Sequence, residues 1–280
     1  MPAAPSRGRV LFRVGPIEIA VHASWLFTFA LLVLVARAEL APAIVSEDSA
    51  WIAPVAIGIA LLFYGFVLVH ELSHAVMARA HGLDAKRITL FIFGGVAQIG
   101  AEAEKPADEF RIAVVGPLAS LWIAGVLAVV SRLLHPDAGE VLPGLWGRLS
   151  VVNLALAVFN LIPAFPLDGG RVLRAALWGG LRDRARATRW SATLGKAFAF
   201  ALIGAGGAIA VIGLSRGNSA DAWPGLWYIV LGYFLFSVAG SAGRVEGGAE
   251  PRKGPPDASD PELDRQNRAV FGPRDYPGDR

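Results

Sequence analysis

The sequence contains no cysteine and little charge: of its 280 residues, 18% are Asp, Glu, Lys or Arg. The absence of cysteine excludes a disulfide framework, a thiolate nucleophile and sulfur ligation, so any bound metal must be held by His, Asp or Glu. The scarcity of charge leaves 54% hydrophobic residues and a mean hydropathy of +0.50, too apolar for an ordinary soluble enzyme. No aromatic–basic pattern suggests nucleic acid, and none is expected as a partner. Arg7, Arg9 and Arg13 precede a long apolar segment without a small-residue cleavage site, so no signal peptide is expected. No internal repeat is present.

What is there is a series of apolar runs, several of them about 20 residues long, the length a helix needs to cross the hydrocarbon core of a bilayer. They predict an all-α polytopic membrane protein with six transmembrane helices, at residues 17–35, 54–80, 112–134, 149–162, 190–214 and 225–238. Between the second and third lies "ITLFIFGGVAQIG", β-branched and aromatic and split by Gly94–Gly95, which reads as a short membrane-associated β-hairpin. Such a hairpin either dips toward the bilayer, covered by protein or water, or lies on its surface. Basic residues gather at alternate connections: Arg7, Arg9 and Arg13; Lys86, Arg87, Lys105 and Arg111; Arg171, Arg174, Arg182, Arg184, Arg186 and Arg189. The other connections hold almost none, so both termini of this multi-pass protein are expected on the cytoplasmic side of the cell membrane. The expected organisation is a cytoplasmic arm over 1–16, a six-span core over 17–242 and a polar, disordered cytoplasmic tail over 243–280.

The second apolar run carries "HELSH", residues 70–74. On a helix His70 and His74 share one face, where two imidazoles can reach one zinc ion, and Glu71 between them can take a proton from water. A lone histidine in a membrane helix is explained by an interhelical hydrogen bond worth about 1 kcal/mol. Two at helical spacing around a carboxylate are not, since each ionisable group at that depth costs about 2.5–3.5 kcal/mol.

Catalytic zinc takes three protein ligands and one open position. Met77 and Ala80 stand where a metzincin extension would need Gly and His. His81 lies about 10 Å further along the helix, His135 belongs to the opposite side of the membrane, and His22 comes early in the first run. Asp168, in "FNLIPAFPLDGGR", falls at the cytoplasmic end of the fourth run, at a depth matching HELSH. Taken by itself, this stretch reads as a turn residue or a helix N-cap ahead of a ligand; with a ligand missing, Asp168 is the candidate.

HELSH at 70–74 and "NLIPAFPLDGG" at 160–170, with "GPIEIAVHASWLF" at 15–27, "FGGVAQI" at 93–99 and "VVGPLAS" at 114–120, resemble the site-2 protease family of intramembrane zinc metalloproteases. The resemblance implies one Zn2+ per chain held by His70, His74 and Asp168, Glu71 as the catalytic carboxylate, and Asn160 near the substrate or oxyanion. It implies hydrolysis of a peptide bond in or near the transmembrane segment of other membrane proteins, such as a membrane-tethered transcription regulator or a signal-peptide remnant. Asn160 is also an amide in an otherwise apolar run, able to donate to a developing oxyanion or simply to bond its own helix. Gly94 and Gly95 would let a hairpin edge approach an extended peptide, and Gly116 and Pro117 would loosen the third helix. Relatives often carry nucleotide-sensing modules at the C-terminus or a peptide-binding module in mid-chain; neither 243–280 nor 84–108 has the length and composition for one. The alternative is a metal or ion transporter, which would need His and acidic residues strung along a path across several spans.

Overall fold

The computed structural model describes residues 8–40, 49–136, 144–217 and 219–247. The first seven residues of the expected arm and residues 248–280 of the expected tail lie outside them. The chain begins with two strands, β1 (Arg9–Val14) and β2 (Ile17–Val21), followed by helices α1 (Trp25–Leu40) and α2 (Ile52–Ala80). A hairpin of β3 (Ala85–Phe91) and β4 (Gly94–Ile99) leads into α3 (Pro106–Leu134). Four more helices follow: α4 (Gly144–Asn160), α5 (Asp168–Leu181), α6 (Arg184–Ser215) and α7 (Trp223–Gly247).

Helices α2, α3 and α6, and the stretch Ala220–Gly240 that includes most of α7, are long and apolar enough to cross a membrane. Thus four of the six expected spans are helices of this kind. α1 and α4 have 16 and 17 residues, short of the ~20 that span the hydrocarbon core. The first span also starts late. Residues 17–21, "IEIAV", form β2, with Ile17, Ile19 and Ala20 buried; Glu18 pairs with Arg13 and Arg87 (2.7 and 2.6 Å). The helix begins only at Trp25.

The expected hairpin is present, but within a larger unit, a four-stranded sheet in the order β1-β2-β3-β4. The description all-α is therefore corrected. β1 and β3 run antiparallel to β2 and β4 respectively, while β2 and β3 are parallel, with Ile19 opposite Ile88. Parallel neighbours need a long crossover, and α1 and α2 supply it. This long-range pairing is why the first two strands are hard to read locally. Gly94, at φ +126°, takes a turn conformation that a side chain would resist. Ile17, Ile19 and Ile88 pack on Ala75 of α2, setting the sheet beside the half of α2 that carries HELSH. At the hairpin tip Phe93 stacks on Phe234 of α7, with ring centroids 4.3 Å apart.

Helix α2 buries a stripe at spacings of three and four: Ala56, Ala60, Tyr64, Val67, His70, His74 and Ala78. The two histidines therefore occupy core positions in an otherwise apolar face. α3 opens with Pro106 at its first position and Asp108 and Glu109 in its first turn, a favourable N-terminus on steric and dipole grounds. α6 and α7 meet through glycine: a Cβ on Gly206 would lie 2.6 Å from the Gly225 carbonyl, and one on Gly225 2.4 Å from the Gly206 carbonyl.

Helix α5 was not among the expected elements, because it follows a proline-rich loop and is too short and too charged to stand out as a span. A buried ion pair holds it to α3: Arg174 Nε donates to Glu109 Oε1 (2.7 Å), and Arg174 Nη2 donates to the same oxygen. Arg174 is 7% and Glu109 1% exposed, so neither charge has water to fall back on. Arg174→Met is expected to cost about 3–5 kcal/mol of stability by stranding the Glu109 charge, and adding Glu109→Leu to recover most of it. Unfolding of the purified variants in detergent measures both.

Candidate metal centre

HELSH occupies two turns of α2, so His70 and His74 project from one face toward α3. Their Nε2 atoms lie 3.3 Å apart. Asp168 reaches them from α5, with Oδ2 3.1 Å from each Nε2. Of the two alternatives open for Asp168, the cap does not describe it. The N-cap of α5 is Leu167, with no side-chain cap bond, and Asp168 is the first helical residue. Its carboxylate turns away from the helix end toward the imidazoles.

The loop before α5 sets that position. Leu167 N–H donates to the Ala164 carbonyl and Gly170 N–H to that of Leu167, a tight turn running directly into the helix. A Cβ on Gly169 would lie 2.2 Å from the Leu161 carbonyl oxygen, and one on Gly170 2.3 Å from the Phe165 nitrogen. The two glycines after Asp168 are thus what lets α5 press against its own loop.

The other nitrogen of each imidazole is engaged as well. His74 Nδ1 lies 2.5 Å from the Ile112 carbonyl, which can only accept, so Nδ1 carries a proton and the ring turns its Nε2 inward. His70 Nδ1 lies 2.9 Å from Ser120 Oγ. With the rings so arranged, both Nε2 atoms and Asp168 Oδ2 converge on one place, where a cation could face all three when the imidazoles offer lone pairs. α3 leaves room for one. A Cβ on Gly116 would lie 2.2 Å from His74 Nε2 and 2.9 Å from His70 Nε2. Among the described residues this is the one group of three or more metal-type side chains that converges.

Glu71 points to the side of the imidazoles and faces β4. A Cβ on Gly95 would lie 2.5 Å from its Cγ, and the Ala97 backbone amide is directed at its carboxylate. Gly94 and Gly95 therefore differ: the first serves the turn, the second the approach of the strand to Glu71. Asn160 is not drawn into this group. It ends α4, and its Nδ2 donates to the Leu156 carbonyl (3.0 Å) within its own helix. His81 is separate too, its Nδ1 donating to the Met77 carbonyl and its Nε2 lying 3.7 Å from Asp108.

The family model "Peptidase family M50" matches residues 58–142 and 135–202, a stretch that includes both HELSH and Asp168. The chain belongs to peptidase family M50, the site-2 proteases. It is 37% identical over 240 residues to "Putative zinc metalloprotease Rip3" of Mycobacterium tuberculosis, covering 82% of this chain and 57% of that protein. It is 35% identical over 231 residues to "Putative zinc metalloprotease sll0528" of Synechocystis, covering 81% and 58%. This chain thus spans under two thirds of the length of these curated relatives. Among solved structures it resembles "Site-2 Protease from Methanocaldococcus jannaschii" with a TM-score of 0.55 and 31% identity, covering 88% of this chain and 98% of that one.

The zinc in the names of these M50 relatives agrees with the donors present here. Two imidazole nitrogens and one carboxylate oxygen form a set zinc takes readily, and hydrogen bonds at the far nitrogens are what holds such ligands in the right tautomer. Ser120, Ile112 and Gly116 carry that arrangement, and sequence reasoning did not assign it to them. Ser120 and Gly116 stand in the "VVGPLAS" stretch, where the signal was a small residue and a hydroxyl in an apolar run. Gly116→Ala is expected to reduce bound zinc to under a tenth of the wild-type content by filling the ion's place. The helix's intrinsic gain of about 1 kcal/mol is offset by displacement of the buried imidazoles, which lie 2.2 and 2.9 Å from the added Cβ, so a thermal melt accompanies the elemental analysis to separate exclusion of the metal from misfolding.

Proposed function

We propose that this chain is a zinc metalloendopeptidase that hydrolyses a peptide bond in or near the transmembrane segment of other membrane proteins. The observation that carries the reading is the convergence of His70 Nε2, His74 Nε2 and Asp168 Oδ2 within 3.3 Å of one another, beside a carboxylate and under a helix with no Cβ in the way. In this reading those three residues hold one zinc ion. When bound, the ion supplies Lewis acidity for the scissile carbonyl and for the attacking water. Glu71 accepts the proton of that water and delivers it to the leaving amine.

The substrate's position follows from β4. A membrane helix has its backbone amides already paired, so it must unwind before it can be cut. β4 is a sheet edge whose Gly95 lies against Glu71, and an unwound segment added alongside it would place its backbone at the carboxylate. Asn160 would serve an oxyanion only by turning its amide away from the Leu156 carbonyl, a rotation available to a residue at a helix end. Substrates of this class include membrane-tethered transcription regulators and signal-peptide remnants. A transporter would need further metal-type clusters along a path, and none is found among the described residues.

In the same reading α1 and α4 complete a six-helix membrane core, and both termini face the cytoplasm. The alternation of basic connections supports this. Exposed Trp51 and Trp223 where α2 and α7 begin, and Trp190 near the start of α6, fit helix ends at a membrane interface without assigning a side.

Glu71→Gln is expected to retain one equivalent of zinc and to cleave a reconstituted membrane substrate about 100- to 10,000-fold more slowly, the range for loss of a general base. Unchanged cleavage would remove Glu71 from the reaction. Chelation of the wild-type protein should abolish cleavage, and added zinc should restore it.

A further inference from the structure

Two half-satisfied polar groups stand at the junction of α2, α3 and α4. Ser120, fully buried, has its Oγ 2.9 Å from His70 Nδ1 and no second hydrogen-bond partner among the described residues. Asn153 is 1% exposed; its Nδ2 donates to the Leu149 carbonyl (2.9 Å), and its Oδ1 is buried with no partner. α3 and α4 are consecutive helices joined by residues 135–143, so they run antiparallel. One turn before Asn153 on the same face, Ser150 Oγ donates to the Ala124 carbonyl (2.7 Å), and Leu149 packs with Ile123 and Leu127. One turn forward on α4 matches one turn back on α3, which brings Asn153 to the level of Ser120.

Chemistry links the two groups. For His70 to offer the Nε2 lone pair, its Nδ1 must carry the proton and donate to Ser120 Oγ. The Ser120 hydroxyl then cannot donate back to His70 and needs an acceptor elsewhere. Serines and threonines in these helices commonly return the proton to their own helix, as Ser73 does to Val69 and Thr193 to Arg189. Ser120 makes no such bond. Asn153 Oδ1 is the buried acceptor in want of a donor, held with its oxygen free by the bond from Nδ2 to Leu149.

We propose that Asn153 is a positioning residue for the metal centre. The chain His70 Nδ1–H to Ser120 Oγ–H to Asn153 Oδ1, closed across one buried water, selects the His70 tautomer that can bind a cation. Were the chain reversed, with Ser120 donating to Nδ1, His70 would present an N–H at the centre instead of a lone pair. Asn153 makes that reversal unfavourable by taking the serine proton. The inference rests on His70 ligating the ion, as proposed above.

The test is zinc affinity of the purified full chain, measured by chelator competition in detergent. Wild type is expected to bind one equivalent and His70→Ala to lose it. Ser120→Ala and Asn153→Leu should each weaken binding about 10- to 100-fold, the usual effect of removing such an outer partner. The double variant should bind no more weakly than Ser120→Ala alone, because a broken chain has nothing further to lose. Asn153→Asp keeps an acceptor and should bind within a few-fold of wild type, which decides the matter should Asn153→Leu fail to fold. Wild-type affinity in Asn153→Leu, effects that multiply in the double variant, or Asn153→Asp as weak as Ser120→Ala would overturn the chain while leaving His70 as a ligand. Absence of zinc binding in the wild type would overturn the ligand reading itself.

Discussion

Two imidazole nitrogens and a carboxylate oxygen converge within 3.3 Å of one another in a largely apolar interior, and the surrounding elements are arranged to hold them there. With lone pairs turned inward on both imidazoles, such a group needs something positive to face. Each is held from behind: His74 by the Ile112 carbonyl, His70 by Ser120, and Asp168 by a helix start locked onto its loop through Gly169 and Gly170. α5 in turn is fastened to α3 by the buried Arg174–Glu109 pair. The pair contributes little net stability by itself. Its use is geometric, since it fixes the helix that delivers Asp168 against the helix that leaves space above the imidazoles.

The sheet solves a different problem. Backbone that is not helical is tolerated at membrane depth only where protein or water covers it. Here Ile17, Ile19 and Ile88 cover one face of the sheet against α2, and Phe93 pins the hairpin tip to α7. β4 has β3 on one side, and its residues lie beside Glu71. An edge strand is ordinarily a liability. In the proposed reading, this edge beside the Glu71 carboxylate is where an unwound peptide would be aligned.

How much of this was legible follows from the range of the interactions involved. HELSH could be read because both ligands and the carboxylate lie within two turns of one helix. Asp168 was reachable because its loop is punctuated by Pro163, Pro166 and two glycines, although the sequence could not separate a ligand from a turn. β2 reads as the start of a span, because "IEIAV" is apolar and its partner, β3, lies nearly seventy residues on. α1 and α4 read as spans on composition, and their helices among the described residues have 16 and 17 residues. Gly95 and Gly116 stand out in sequence as a place for a peptide to approach and as a loosened helix, not as neighbours of the centre. Their importance is the missing Cβ, and that becomes visible only when His74 and Glu71 are placed against them.

Charge balance ties the elements of the centre together. His70 and His74 are neutral when their inward nitrogens carry lone pairs, so Asp168 gives the three-residue group one negative charge, and a divalent ion would leave it with one positive charge. Glu71, beside it, is a group whose ionisation offsets that charge. The Arg174–Glu109 pair is already neutral and adds nothing. In the proposed reading, an apolar interior tolerates this cluster best when the ion and an ionised Glu71 are present together. The residue placed to take a proton is therefore the one whose charge the loaded site favours, and the same cation that relieves the repulsion among the ligands holds the base ready. Replacing Asp168 would remove a ligand and also unbalance Glu71, so its effect on reaction should exceed its effect on metal content alone.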